Sequence, residues 1–126
     1  AFGEVIEGVV KKVMENPNRQ VVLSDTLKKI VDYVNENLSD EDMRLTLLAE
    51  NMNMNPNYIS QLFKKELGCG YHAYLNQVRV EKAKKYLRQT NEPITVVAEL
   101  VGFSDYRIFT KIFKGIVGVT PSQFRK

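Results

Sequence analysis

An internal repeat constrains this chain more than any other feature. Residues 45–68 read LTLLAENMNMNPNYISQLFKKELG, and residues 94–118 read ITVVAELVGFSDYRIFTKIFKGIVG. Both run apolar-Thr-apolar-apolar-Ala-Glu, then a turn, then a helical stretch ending in Phe-Lys, with glycine four residues after that lysine. The copies differ by one residue in length, and the difference falls at the turn. The match continues in the tails, GCGYHAY at 68–74 beside GVTPSQF at 118–124. Two copies of one supersecondary unit, joined by a long helix, account for most of the chain.

The spacing inside each copy suits a helix-turn-helix. The first helix needs a small residue where the second crosses it, and Ala49 and Ala98 stand there. Four residues on, the turn wants a residue tolerant of positive φ: Gly102 in one copy, Asn53 in the other. The second helix must bury one face and present the other. In the first copy Ile59, Leu62 and Phe63 are expected inside. In the second, Ile108, Phe109, Ile112 and Phe113 form the oily face.

The rest of the chain also reads as helix. An i, i+3, i+4, i+7 stripe covers 2–15 and ends at Asn16-Pro17-Asn18. A second helix begins at the cap candidate Ser24 and carries Leu27, Ile30, Val31, Val34 and Leu38. Further helices are expected over about 44–52, 56–67, 71–89 and 93–101, then along the 100–114 stretch, with a short one after Pro121. No run with period-two alternation stands out, so the expected fold class is all-α. The expected organisation is an N-terminal helix and linker at 1–23, a first unit at about 24–70, a linking helix at about 71–89 and a second unit at about 92–126.

Charge narrows the function. Residues 1–56 hold six Lys/Arg against ten Asp/Glu, −4, whereas residues 57–126 hold twelve against five, +7. A basic half of this kind points to a polyanionic partner. A major groove is wide enough to admit a helix, and the exposed faces carry the side chains that read base edges. In the first copy these are Asn57, Ser60 and Gln61, with Lys64 late in the helix. In the second they are Arg107, Thr110 and Lys111, with Tyr106 at the entry and Lys114 late. Arginine pairs bidentately with guanine, Asn or Gln with adenine, and the threonine methyl meets thymine. Lys64 and Lys114 suit phosphates, which position without specifying.

Other classes fall away. No base–nucleophile pair, carboxylate dyad or phosphate-binding glycine loop can be assembled, so no enzyme is expected. One cysteine, Cys69, excludes an internal disulfide and fits a reducing, cytoplasmic setting. With His72 as the only histidine, neither a metal nor another cofactor is expected, and both residues read as surface or cap-region positions. No run approaches the roughly 20 apolar residues that span a bilayer, so no membrane partner is expected.

The stretches YISQLFKKELGCGYHAYLNQVRVEKAKKYL at 58–87 and ITVVAELVGFSDYRIFTKIFKGIVGVTPSQFRK at 94–126 resemble the DNA-binding domain of the AraC/XylS family of bacterial transcription regulators. The resemblance runs from about Leu27 to the C-terminus. It implies two helix-turn-helix subdomains, joined by a long helix, entering successive major grooves of double-stranded DNA. It further implies that Asn57, Ser60, Gln61, Tyr106, Arg107, Thr110 and Lys111 face bases. An activator role and RNA polymerase as a second partner follow from the same resemblance. The chain starts at Ala1 rather than methionine, and 1–23 is read as a linker helix, a dimerisation seam, or the end of a missing sensor or receiver domain. A homodimer through that helix or domain is one expectation.

Three positions depart from the family pattern. Ile108 stands where tyrosine is frequent, at a position expected to pack. Gly115 replaces a basic residue and is expected to loosen the helix end. Gly70 replaces a Ser or Thr cap that Thr120 keeps in the second copy, at a cost of a few tenths of a kcal/mol. Arg79 is expected to make a structural ion pair or helix-end contact, and Lys82, Lys84 and Lys85 to form a solvated face. The rival reading from another class is an all-α protein-interaction module contacting polymerase or a partner regulator.

Overall fold

A computed structural model describes residues 23–126. The expected 2–15 helix lies outside them. The described residues form seven helices: α1 Asp25–Glu36, α2 Leu45–Met52, α3 Pro56–Leu67, α4 Tyr71–Gln89, α5 Ile94–Leu100, α6 Tyr106–Val117 and α7 Pro121–Arg125. The all-α expectation holds among them.

Two separate cores sit along α4. The first joins Leu27, Ile30, Val31 and Val34 of α1 and Leu48 and Ala49 of α2 to Ile59, Phe63 and Leu67 of α3. Tyr71, Tyr74, Leu75 and Val78 of α4 complete it. The second joins Val80, Ala83 and Leu87 of α4 to Val97, Ala98, Val101, Phe103, Phe109 and Phe113. The crossover from one core to the other falls at Arg79. At 1.5 Å per residue the 19 residues of α4 span about 28 Å.

Arg79 is only 6% exposed, and its charge is met by carbonyls. Nε donates to the Leu38 carbonyl at 3.2 Å and Nη2 to the Asp40 carbonyl at 2.7 Å. Both lie just past the C-terminal end of α1, where orphan carbonyls collect. The guanidinium also stands 5.5 Å from the Phe103 ring centroid, in the turn of the second unit. Gly102 presses on the same spot. Its φ is +100, and a Cβ there would collide with the Leu38 carbonyl oxygen. Arg79 and Gly102 therefore seal the two units together. The expected helix-end contact is present, and it joins two lobes rather than capping one.

Arg125 plays a similar part at the far end. It donates from Nε to the Leu87 carbonyl, from Nη1 to Glu92 and from Nη2 to Thr90, closing the C-terminus of α4. Ser24 caps α1 by accepting from Leu27 N, and its own N and Oγ donate to the Glu66 carboxylate at 2.6 and 2.8 Å. That contact ties the start of α1 to the end of α3.

Candidate nucleic-acid interface

The two turns repeat one backbone device. Asn53 ends α2 in the left-handed region at φ 55, and Gly102 follows α5 at φ 100. In each, the next residue's N–H returns to the alanine carbonyl, Met54 to Ala49 and Phe103 to Ala98, both at 2.9 Å. Ala49 and Ala98 are buried where the helices cross. The added residue of the second copy, Ser104, is exposed. An Asx cap then starts each second helix: Asn55 Oδ1 accepts from Asn57 N, and Asp105 Oδ1 from Arg107 N.

These helices present matching exposed faces. In α3, Asn57, Gln61 and Lys64 are exposed and Ser60 is half-buried. In α6, Tyr106, Arg107, Lys111 and Lys114 are exposed and Thr110 is half-buried, its hydroxyl donating back to the Tyr106 carbonyl at 2.8 Å. The residues expected to face bases are thus gathered on one outward side of each helix. Lys64 and Lys114 lie in the last turns, where a cation also suits the negative end of the helix dipole.

Two expectations change. Ile108 is 53% exposed and does not pack, because the inward line of α6 runs through Phe109, Ile112, Phe113 and Ile116 and leaves it at the flank. Its counterpart Tyr58 is 48% exposed on α3. Sequence reasoning missed this apolar flank, although aligning the copies places the two residues opposite each other. Gly115 is exposed within α6, which continues to Val117. Lys82, Lys84 and Lys85 are half-buried rather than fully solvated, and Lys84 pairs with Glu81 at 3.1 Å. Asp105, which also holds the Arg107 side chain, is a second residue that sequence reasoning missed. An acid two residues before a helix-start arginine was the signal for it.

Cys69 is half-buried against the first core, and burial raises its thiol pKa, which makes it a weak nucleophile. Among the described residues, no group of three or more His, Cys, Asp and Glu could hold a metal ion. No described helix is long and apolar enough to cross a membrane.

A family model described as a helix-turn-helix domain matches residues 48–126. The regulatory protein PocR of Salmonella typhimurium is 31% identical over 137 residues, covering 97% of this chain and 45% of that protein. The arabinose operon regulatory protein of Escherichia coli is 28% identical over 123 residues, covering 96% and 42%. The solved C-terminal domain of AraT, a response regulator from Geobacillus stearothermophilus, superposes with a TM-score of 0.79 at 36% identity, over 82% of this chain and 85% of that one. The chain spans less than half the length of the two curated relatives. With its matched domain, its repeated turn geometry and its two outward polar faces, the chain belongs to the AraC-type helix-turn-helix family of DNA-binding transcription regulators.

Proposed function

We propose that α3 and α6 enter two successive major grooves on one face of the duplex, as the reading heads of a transcription activator. The observation that carries this is the sealed junction at Arg79 and Gly102, which fixes two like recognition helices on one body. Asn57, Ser60 and Gln61 face bases in one half-site. Tyr106, Arg107, Thr110 and Lys111 face bases in the other. Lys64 and Lys114 grip phosphates. The half-sites lie about one helical turn, roughly 34 Å, apart. With the two helices held by this junction, a misfit with straight DNA would be taken up by bending the DNA. Residues 24–126 form the reading domain, and 1–23 are an N-terminal helix and linker to it. Activation proceeds in the cytoplasm through contact with RNA polymerase.

Selection of random duplexes by this chain, followed by sequencing, tests the reading. Two short blocks one helical turn apart are expected. Arg107→Ala should cost about 1–3 kcal/mol on the selected site and relax its preference, whereas Lys114→Ala should weaken all sequences alike. A single retained block would sink the two-groove reading. No binding at all would favour a protein-interaction module.

A further inference from the structure

Asp105 does more than cap α6. Its Oδ1 accepts from Arg107 N at 2.9 Å and from Arg107 Nε at 3.3 Å, while Oδ2 accepts from Nη2 at 3.2 Å. One carboxylate thus holds both the backbone and the side chain of the same arginine. The Arg107 side chain is still 79% exposed. The hydrogen bonds hold the Asp105 carboxyl below its ordinary range, and the same carboxylate raises the basicity of Arg107.

A guanidinium offers five N–H donors in a fixed plane. Asp105 takes two of them, Nε–H and one on Nη2, along one edge. The tip remains free, with one N–H on each terminal nitrogen pointing the same way. That fork matches the N7 and O6 acceptors that guanine alone presents side by side in the major groove. A carboxylate beside the fork also repels phosphate, so it disfavours the competing use of Arg107 as a backbone grip.

We propose that Asp105 is a specificity-determining positioning residue, which holds Arg107 by its Nε edge so that the guanidinium tip selects guanine in the second half-site. This rests on the reading that Arg107 faces bases. The first unit has the same cap geometry without the clamp. Asn55 accepts from Asn57 N at 2.8 Å, but it is uncharged and the residue it caps is not a cation. Guanine selection by this device therefore belongs to the second half-site alone.

Asp105→Asn isolates the charge, because Asn caps a helix as well as Asp does. Asp105→Ser, another good cap, is the second variant should the first unfold. Random-duplex selection and titration of single-base variants of the selected site are run on the parent chain, both variants and Arg107→Ala. The parent is expected to retain a guanine that Arg107→Ala no longer selects. Asp105→Asn should bind random duplex more tightly while its preference for that guanine falls by about tenfold. If Asp105→Asn and Asp105→Ser keep the parent's guanine preference while Arg107→Ala loses it, the positioning role is overturned and base reading by Arg107 stands. If Arg107→Ala leaves the selected sequence unchanged, the base-reading assignment fails and this inference fails with it.

Discussion

The two helix-turn-helix units share a backbone and diverge in almost everything laid over it. In the first, α1 adds a third layer, and the aromatic core of Phe63, Tyr71 and Tyr74 carries hydroxyls that need partners. The Tyr71 hydroxyl donates to the Met43 carbonyl at 2.6 Å, and Tyr74 meets the Asn35 amide at 3.5 Å. In the second, Phe103, Phe109, Phe113 and Phe124 stack without a hydroxyl among them. Outward, both helices carry a lysine in the last turn, but ahead of it α3 offers neutral amides and a hydroxyl where α6 has a clamped arginine and Lys111. The turn and the buried positions are held by packing, which penalises change. The exposed face answers only to its partner, so the two half-sites can be read by different chemistry on one scaffold.

The sharpest way to break this comparison is at the turns. Gly102→Ala adds left-handed strain and drives a Cβ into the Leu38 carbonyl, so we expect a loss of at least about 3 kcal/mol in urea unfolding. Asn53→Ala meets only the strain of its φ of 55 and should cost about 1 kcal/mol. Equal losses would mean that the second turn does not brace against the first unit.

Arg79 tests the same seam from the other side. Arg79→Met keeps the bulk but leaves the Leu38 and Asp40 carbonyls short of their donors, a loss of about 2–4 kcal/mol. Because the cores lie on opposite sides of residue 79, unfolding should also separate into two steps when followed by probes in each core. A single transition at the parent's midpoint would dissolve the distinction between lobes joined by a seam and one continuous core.

Much of this architecture was legible in the residues because the signals were local. Apolar spacing, Pro56, Gly68 and Pro121 located α3, α4 and α7, and the repeat located both turns. What escaped was non-local or marginal. Arg79 read as a helix-end contact, but the end it meets belongs to α1, 41 residues away, and depends on how the second turn lands there. Ile108 fell within the helical stripe, yet a stripe has edges, and only the packing of α6 decides which edge residue finds a neighbour. The candidate interface was legible as a set of outward side chains. The grip of Asp105 on Arg107 showed only as an acid two residues before the arginine, since an i, i+2 pair meets only when a cap bends the chain back toward the helix.

Alkali should separate the units next. Burial raises both core tyrosines above their ordinary value, with Tyr74 pushed up to about 12. A raised folded pKa means that the folded state holds its proton longer than the unfolded chain does. The stabilisation is complete below pH about 10 and is lost as pH climbs toward 12. Tyr74 alone should therefore loosen the first core by roughly 2 kcal/mol over that window, with Tyr71 adding to it, while the phenylalanine core of the second unit is spared. Amide exchange resolved by unit would detect the asymmetry. Equal loosening of both units would place the sensitivity in shared charge repulsion instead.

The smallest effect concerns the caps that follow the two left-handed glycines, Gly68 and Gly118. Thr120 forms a full capping box with Gln123: its hydroxyl accepts from Gln123 N, and Gln123 Oε1 accepts from Thr120 N. Gly70 starts α4 with no side-chain bond at all. The equivalent positions thus carry opposite solutions, and stability follows how much helix depends on each. Short α7 relies on its box, so Thr120→Ala should cost about 1 kcal/mol, whereas Gly70→Ser should gain only a few tenths. A Cβ added at Gly70 would meet no heavy atom within 4 Å, so serine enters without a clash. Thermal melts of both variants decide the matter. A gain from Gly70→Ser as large as the loss from Thr120→Ala would mean that the long helix is held at its start by the cap, and not by the burial of Tyr71 and Tyr74 just beyond it.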